Sequence, residues 1–200
     1  MGKYNFSIEG IYENLYKPIL IKDTGIDPEY LTNLSLNLLG FCSDKKDWPL
    51  IKNLICSLNN EFCLEDKKLT QNICGIKFIN PIGLAAGFDK NGIAANIWQD
   101  FGFGFSEIGT VTKHAQPGNP KPRLFRISKE QAALNRLGFN NNGAEFLLKN
   151  FIKQNINKKG ENKQHCLGIN FGKSKITAIS NATNDYISSL KLLIPYCNYA

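Results

Sequence analysis

The sequence has 200 residues, of which 42% are hydrophobic, 11% aromatic and 20% charged. This composition is typical of a globular protein and excludes a disordered, collagen-like or coiled-coil chain. The formal net charge is +7, but the basic residues are mostly lysines scattered along the chain, a distribution typical of a solvated surface rather than a nucleic-acid interface. The three arginines are the exception, because Arg123, Arg126 and Arg136 share one short segment.

Neither a membrane-spanning helix nor a metal site is predicted. No apolar run reaches the roughly 18 residues that a bilayer requires, and the opening residues lack the apolar stretch of a signal peptide. The six cysteines form no CxxC pair and no Cys/His pair at zinc spacing, which favours free thiols in a reducing compartment.

Three amphipathic segments occupy the first seventy residues. Asp27 can cap the second, Pro28 suits its first turn and Gly40 suits its end. Asp47 is a candidate cap for the third, which covers 48–58. These segments predict either core packing or a helical sub-domain ahead of the following region. Their apolar stripes are Ile11, Leu15 and Ile19, then Leu31, Leu34, Leu38 and Leu39, then Leu50, Ile51, Leu54, Ile55 and Leu58.

From residue 69 onward, strands and helices alternate. The pattern predicts strands over 73–79, 81–87, 103–111 and 166–171, and helices over 92–101, 143–154 and 184–194. The last helix is predicted to bury Tyr186, Ile187, Leu190, Leu193 and Ile194. Successive βα units indicate a parallel α/β architecture.

Chain length bears on which parallel architecture this is. A complete (β/α)8 barrel takes about 250 residues, whereas roughly 130 remain here after the helical head. We therefore expect only the first half of a TIM-type barrel, and a sequence that is a piece of a longer protein. The predicted domains are 1–68, helical with an unmatched insertion, and 69–200, the half-barrel.

Functional residues of parallel α/β folds gather at the carboxyl ends of the strands. Small residues and Lys90 follow one predicted strand in the stretch AAGFDKNG, which is also good turn chemistry. Gly109 and Thr110 follow the next strand, and Asn170 precedes the loop Gly-Lys-Ser after another. The segment 121–142 holds all three arginines between apolar residues, which favours a loop that folds back on the barrel mouth over a solvated basic loop.

These stretches together carry a family resemblance. The motifs INPIGLAAGFDKNG, GFGFSEIGTVT, QPGNPKPRLFR, QAALNRLGFNNNG and LGINFGKSK occur in the order and at the spacing of the dihydroorotate dehydrogenases. The sequence resembles their membrane-associated, quinone-reducing class over roughly 72–200, and more loosely over 8–41. The resemblance implies an FMN enzyme of pyrimidine (UMP) biosynthesis that oxidises dihydroorotate to orotate and passes the electrons to ubiquinone.

The resemblance also implies roles for individual residues. Asn135 would bond a polar edge of the pyrimidine, and Lys90 would reach between flavin and substrate carboxylate. Arg126 resembles the quinone-side arginine, and the helical head would lie on the membrane surface, which implies a peripheral position on the mitochondrial inner membrane. The residues against the flavin would be Ala85, Ala86, Gly87, Phe88, Asp89, Gly109, Thr110 and Asn170, and those at the substrate Lys90, Asn135, Arg136, Leu137, Gly138 and Phe139.

Several departures from the family keep other interpretations open. Ser174 stands where the family has asparagine, Thr32 stands at the position of a quinone-side histidine, and residues 42–68 match nothing. The family's catalytic serine would lie beyond Ala200, so this chain alone is expected to be inactive. The alternatives are a soluble fumarate-linked enzyme, a flavin domain like that of dihydropyrimidine dehydrogenase, or a non-catalytic half-barrel module.

Overall fold

The computed structural model describes residues 26–64, 66–130, 132–156 and 165–200. The predicted helix around Ile11, Leu15 and Ile19 lies outside these described residues. The helices are α1 (Pro28–Asp44), α2 (Pro49–Phe62), α3 (Ala144–Lys153) and α4 (Ala182–Leu193). The strands are β1 (Gln71–Ile73), β2 (Ile76–Phe78), β3 (Gly83–Leu84), β4 (Phe105–Thr112), β5 (Leu124–Ile127), β6 (Ala132–Asn135) and β7 (Cys166–Gly172).

A parallel three-stranded sheet is the centre of the fold. Its strand order is β3-β4-β7, with Gly83 opposite Phe105 and Phe105 opposite Cys166. Two of the predicted strands, 103–111 and 166–171, are confirmed to within two residues, whereas the predicted strand 81–87 shrinks to two residues. The chain therefore has the predicted α/β fold, and the described strands do not close into a barrel.

The core forms between this sheet and the helices that follow its strands. β4 contributes Ile108 and Val111, β7 contributes Ile169, and α3 contributes Leu147 and Phe151, all of which are at most 1% exposed. These apolar side chains form the buried part of the two strands, whereas Glu107, Thr110 and Asn170 on the same strands are polar and only partly buried.

The region 92–101 is not the predicted helix. It forms consecutive turns and a short 3₁₀ helix, Trp98–Phe101, which ends at Gly102 with φ +79°. The Asp89 carboxylate binds the amides of Ile93 and Ala94 at 2.8 and 2.9 Å and the Trp98 indole at 3.3 Å. These bonds to a buried side chain fix a compact turn in place of a regular helix.

The predicted strand 73–79 is also divided. Cys74 and Gly75 have φ of +51° and +77°, so they form a tight turn between the antiparallel strands β1 and β2. A two-residue turn with both φ positive matches the twist of a hairpin. The sequence prediction missed it because cysteine is an unusual residue in the first turn position.

Helix α1 begins where the sequence predicts but ends later. The Asp27 carboxylate accepts a hydrogen bond from the Glu29 amide at 2.9 Å, which confirms the predicted cap. Gly40 does not end the helix, which continues to Asp44. A Cβ at Gly40 would lie 2.7 Å from Ile93 Cγ2 and 2.9 Å from its carbonyl oxygen, so the glycine allows close packing instead.

Some predicted helix faces are rotated. On α1 the buried leucine is Leu36, while Leu34 and Leu38 are exposed. Helix α2 buries Ile51 but exposes Leu50 and Leu54, and it has no side-chain cap, so the predicted Asp47 cap is wrong. On α4, Asp185, Ser189 and Leu193 face the core, whereas Tyr186, Ile187 and Ile194 are exposed. A buried hydrogen-bond network around Asp185 explains the rotation of α4.

Contacts divide the chain into two compact units. Among the described residues, the first combines 26–34 with Asn119–Gly138, and the second contains Ser35–Gly118 and Phe139–Ala200. The first unit holds the antiparallel hairpin β5–β6, in which Arg126 pairs with Ala133. The predicted domain boundary at residue 68 does not coincide with any boundary between these two units, and it stays a prediction.

Candidate active site

The loop that follows β3 is joined to β4 by backbone hydrogen bonds. The Gly87 amide donates to the Gly109 carbonyl at 2.7 Å, and the Gly109 amide donates to the Asp89 carbonyl at 3.3 Å. Gly109 is also the register partner of Asn170 on β7. The structure therefore brings the predicted cofactor residues of all three strands to the same edge of the sheet.

Glycines make room at this edge. Gly109 has φ +125°, and a Cβ there would lie 2.4 Å from the Asn170 carbonyl oxygen. Gly87 has φ +111°, and an added Cβ would meet nothing within 4 Å. Gly87 is exposed and lies beside the small residues Ala85 and Ala86. A flat ligand could therefore approach the backbone of this loop closely.

The side chains of Thr110 and Asn170 are joined across the strands. The Thr110 hydroxyl donates to Asn170 Oδ1 at 2.6 Å, and Asn170 Nδ2 donates to Glu107 Oε1 at 3.2 Å. Both Thr110 and Asn170 are partly exposed. The edge therefore combines small residues with fixed amide and hydroxyl groups, which is the composition of a site for a polar aromatic ligand.

Lys90 supplies positive charge next to these groups. Its ammonium donates to Asn140 Oδ1 at 2.6 Å, and the side chain is partly buried. The neighbouring Asn91 accepts from the Asn142 amide at 2.8 Å and bonds Asn150 through its carbonyl at 2.8 Å. These contacts tie the loop after β3 to residues 140–142 and hold the lysine stem in place.

Asn141 organises the same loop from within. Its Oδ1 accepts from the amides of Thr112 and Gly143, at 3.2 and 2.9 Å, and its Nδ2 donates to the Thr112 hydroxyl and the Phe139 carbonyl. Asn141 is 4% exposed, so these bonds are shielded from water. The side chain of Phe139, in contrast, is 63% exposed.

Two of the predicted flavin contacts, Asp89 and Phe88, differ from each other in how deeply they are buried. The Asp89 side chain is fully buried beneath the loop, where burial raises the pKa of its carboxyl while the bonds from Ala94, Ile93 and Trp98 oppose that increase. Phe88 is partly exposed and packs its ring edge-on against Trp98, with ring centroids 5.7 Å apart. Asp89 therefore lies entirely beneath the surface and supports the loop from below, whereas the Phe88 ring is partly at the surface.

The loop after β7 depends on a buried aspartate. Asp185 accepts from the Thr177 hydroxyl at 2.5 Å and from the Ser174 amide and hydroxyl at 3.0 and 3.1 Å. Burial alone would raise the pKa of Asp185, but these bonds together lower it below its ordinary value. Lys173 donates to the carbonyls of Ser174 and Thr177, which closes the loop further.

The remaining predicted substrate residues lie in the first unit. Asn135 is the last residue of β6 and is exposed, and Arg136 donates to the Pro122 carbonyl at 3.1 Å. Gly138 has φ +72°, and a Cβ there would lie 2.9 Å from Asn119. Leu137 is partly buried and accepts at its carbonyl from the Asn119 amide. Their predicted roles at the substrate stay predictions.

Comparison with known proteins agrees with these features. A family model described as dihydroorotate dehydrogenase matches residues 68–200. A protein named dihydroorotate dehydrogenase (quinone) from Prochlorococcus marinus is 49% identical over 195 residues, which is 98% of this chain and 50% of the relative. The chain belongs to the dihydroorotate dehydrogenase family.

Other relatives extend this result. The Acaryochloris marina dihydroorotate dehydrogenase (quinone) is 45% identical and matches 94% of this chain and 50% of its own length. The crystal structure of an Eimeria tenella dihydroorotate dehydrogenase in complex with ferulenol superimposes with a TM-score of 0.70 at 35% identity, covering 90% of this chain and 44% of that one. The chain thus spans about half the length of the curated relatives it matches.

The predicted location on the mitochondrial inner membrane is wrong. The curated relatives from Prochlorococcus, Acaryochloris, Trichodesmium and Nostoc are cyanobacterial proteins, and bacteria have no mitochondria. The prediction transferred the compartment of eukaryotic family members without a targeting segment to support it. Within the described ranges, no helix is both long and apolar enough to cross a membrane.

No role is predicted from the sequence for several polar residues beneath these loops. Asn140 and Asn141 belong to a run of three asparagines that enters the prediction only as part of a motif. Glu107 lies inside a predicted strand, Tyr199 is the residue before the last one of the sequence, and Asp185 lies on a predicted apolar helix. A charged residue at a core-facing helix position was the available signal for Asp185.

Proposed function

We propose that this chain forms part of a dihydroorotate dehydrogenase that converts dihydroorotate to orotate with FMN, in the synthesis of pyrimidine nucleotides. The observation that carries the proposal is the meeting of Gly87, Gly109 and Asn170 at one sheet edge, with Lys90 on the adjoining loop. The reaction removes two electrons and two protons from the substrate. FMN, when bound, would accept the electron pair together with one proton, and the second proton would pass to the serine base that the family resemblance implies.

The residues at the sheet edge fit an isoalloxazine ring. Gly87 leaves open space above the loop, and Ala85 and Ala86 allow the ring to approach the backbone. The amide of Asn170 and the hydroxyl of Thr110 would bond polar atoms at the ring edge. Their roles are to hold and orient the cofactor, since the redox chemistry belongs to the flavin.

Lys90 would bind the substrate carboxylate. Its ammonium lies 2.6 Å from Asn140 Oδ1, and its positive charge would attract a carboxylate to this edge of the sheet. A partly buried ammonium binds a carboxylate more strongly than an exposed one because less water competes. Asn135, Arg136, Leu137, Gly138 and Phe139 complete the proposed substrate set.

Ubiquinone is the proposed electron acceptor, at a membrane surface. Helix α1 exposes Tyr30, Leu34 and Leu38, spaced four residues apart along one side. Such a stripe is suited to contact lipid or an isoprenoid chain. Arg126 on β5, which belongs to the first unit with Tyr30 and Leu34, would donate to a quinone oxygen. The relatives' name, dihydroorotate dehydrogenase (quinone), agrees with this choice.

The proposed architecture is the first half of a TIM-type barrel. The order β3-β4-β7 supports it, with the 3₁₀ helix Trp98–Phe101 between β3 and β4 and α3 between β4 and β7, as does the match to about half of each relative. Active sites of such barrels lie at the carboxyl ends of the strands, where the proposed FMN residues lie. We expect the 200-residue chain alone neither to retain FMN nor to oxidise dihydroorotate.

Reduction and reoxidation of the flavin in the complete protein test the function. Dihydroorotate should bleach the bound flavin anaerobically, and a ubiquinone analogue should then reoxidise it faster than fumarate or NAD⁺ does. Faster reoxidation by fumarate would favour the soluble class, and faster reoxidation by NAD⁺ would favour a nicotinamide-linked flavin enzyme. A purified protein that binds no FMN and leaves dihydroorotate unchanged would favour a non-catalytic module.

A further inference from the structure

A carboxylate outside the proposed machinery lies directly behind the flavin-facing amide. Glu107 Oε1 accepts from Asn170 Nδ2 at 3.2 Å, and its other oxygen accepts from the Tyr199 hydroxyl at 3.4 Å. The Asn170 Oδ1 accepts in turn from Thr110 at 2.6 Å. A continuous hydrogen-bonded chain therefore runs from Tyr199 to the proposed cofactor edge.

The backbone is arranged to make this chain. Glu107 is the register partner of Gly168, and Gly168 is bridged in parallel to Tyr199, so the three residues lie side by side across adjacent strands. A Cβ on Gly168 would lie 2.2 Å from the Tyr199 ring. Glycine at this position is therefore what allows the ring to cross β7 and reach Glu107.

The direction of each bond follows from the chemistry of its groups. A carboxylate can only accept, so the group that Asn170 turns toward Glu107 has to be its N–H₂. Burial and the Glu107 charge raise the pKa of Tyr199, so the phenol keeps its proton and donates. A flipped Asn170 would place its carbonyl oxygen against the carboxylate, with two acceptors facing each other.

The fixed orientation determines what Asn170 can offer a ligand. A primary amide has two N–H donors and two acceptor positions. Glu107 takes one donor and Thr110 takes one acceptor position, which leaves one of each. A ring edge that carries a carbonyl beside an N–H, as in an imide or a pyrimidine, is complementary to that pair.

We infer that Glu107 is a positioning residue for the Asn170 amide. Tyr199 crosses Gly168 and holds the Glu107 carboxylate, which fixes the amide in the orientation that binds a carbonyl and N–H ring edge. We call this fixed orientation the lock. The lock itself rests only on contacts within the second unit. Its consequence for FMN rests on the proposed function, so the test measures the lock and the cofactor separately.

The first measurement uses the complete protein without flavin. In nitrogen-15 spectra, the Asn170 side-chain proton that bonds Glu107 should exchange slowly. Glu107→Met, of similar length but without an acceptor, should abolish this protection. Glu107→Gln should keep it, because the Gln oxygen can accept from Asn170 while its N–H₂ donates to Tyr199. The exposed Glu61→Gln is the matched control and should leave the signal unchanged.

A double variant covers the case in which Glu107→Met does not fold. In Glu107→Gln with Tyr199→Phe, side-chain volumes are preserved, but no hydroxyl directs the Gln amide. It can then turn its N–H₂ toward Asn170, and the protection should fall relative to Glu107→Gln alone. The second measurement is FMN affinity, which Glu107→Met should weaken by about tenfold or more, while Glu107→Gln stays within about threefold of the parent.

The outcomes separate the two proposals. Protection of Asn170 that survives both Glu107→Met and the double variant would overturn the lock. So would a Glu107→Gln variant that loses protection as fully as Glu107→Met, because charge and not acceptor geometry would then matter. A parent protein with the protected amide but no FMN binding would support the lock and refute the proposed function.

Discussion

The Arg123 guanidinium donates two hydrogen bonds to the Glu29 carboxylate, from Nε to Oε2 at 2.8 Å and from Nη2 to Oε1 at 2.6 Å. Both side chains are less than 10% exposed, and Arg123 Nη1 donates to the Asn119 carbonyl at 2.8 Å. The pair joins the start of α1 to the segment that enters the β5–β6 hairpin. The bond to Glu29 is also the main reason that the pKa of Arg123 is raised.

Removing Arg123 should loosen the first unit. Arg123→Met removes both guanidinium bonds to the buried Glu29 carboxylate, and breaking a buried pair from one side costs about 3–5 kcal/mol. We expect amides of β5 and β6 to exchange with deuterium two to three orders of magnitude faster. Lys121→Met is the control, because Lys121 is exposed and lies 3.7 Å from Glu29, a geometry worth at most about 1 kcal/mol. Equal rates of deuterium exchange in both variants would show that the Arg123–Glu29 pair does not stabilise the first unit.

Arg126 tests the acceptor side of the proposed reaction. Its guanidinium would donate a charge-assisted bond to a quinone oxygen, worth about 1.5–3 kcal/mol. Arg126→Gln should therefore raise the KM for a ubiquinone analogue by about tenfold or more. Reduction of the bound flavin by dihydroorotate, followed by stopped flow, should stay unchanged. Lys129→Gln is the control, because Lys129 is exposed on the same hairpin. If Arg126→Gln slowed flavin reduction by dihydroorotate as much as flavin reoxidation by the quinone, the arginine would only support the fold.

Periodicity and motif order predicted the parallel strands well. The strands 103–111 and 166–171 and the helix 143–154 are long, apolar runs with clear punctuation, so local pattern and tertiary packing favour the same structure. The sheet edge at Gly87, Gly109 and Asn170 was predictable too, because parallel strands end on the same side. The β5–β6 hairpin was missed because β5 alternates half-buried and exposed residues and β6 is exposed throughout, so neither short strand has a strong apolar face.

Buried polar residues account for most of the errors. Asp89 replaces a predicted helix with turns by bonding the amides of Ile93 and Ala94. Asp185 rotates α4 so that apolar side chains predicted to be buried point outward. Hydrophobic periodicity carries no information about such groups, since their positions depend on donors that are distant in sequence or supplied by the backbone of a loop.

Asp185 should stabilise the protein most at neutral pH. Its pKa is lowered in the folded state, so its contribution is complete above the ordinary aspartate pKa of about 4 and is lost as the pH falls through the folded-state value. Asp185→Asn cannot accept from Thr177 and both Ser174 donors, and we expect a loss of about 2 kcal/mol or more at pH 7. Denaturant unfolding of both proteins from pH 7 to pH 3 should show the gap narrowing below pH 4; a constant gap would contradict the lowered pKa.

Asp89 should behave in the opposite way. Its pKa is raised by burial, so the folded state holds the proton more tightly than the unfolded chain does. Its contribution to the free energy of unfolding is complete below the unfolded pKa and declines as the pH rises through the folded value. The difference in unfolding free energy between the parent and Asp89→Asn should therefore shrink as the pH rises from acid, in contrast with Asp185→Asn. A difference that grows over that range would mean that the three hydrogen bonds outweigh burial.

Lys90 decides whether the edge of the sheet is a substrate site. Lys90→Met keeps most of the apolar stem but removes the ammonium, so a carboxylate would lose a charge-assisted bond worth about 1.5–3 kcal/mol. We expect kcat/KM for dihydroorotate to fall by about tenfold to a hundredfold in the complete protein, while FMN stays bound. Lys149→Met, exposed on α3, should change neither value and controls for the loss of one positive charge. A change within threefold in Lys90→Met would leave Lys90 as a loop residue whose contact with Asn140 serves the turn alone.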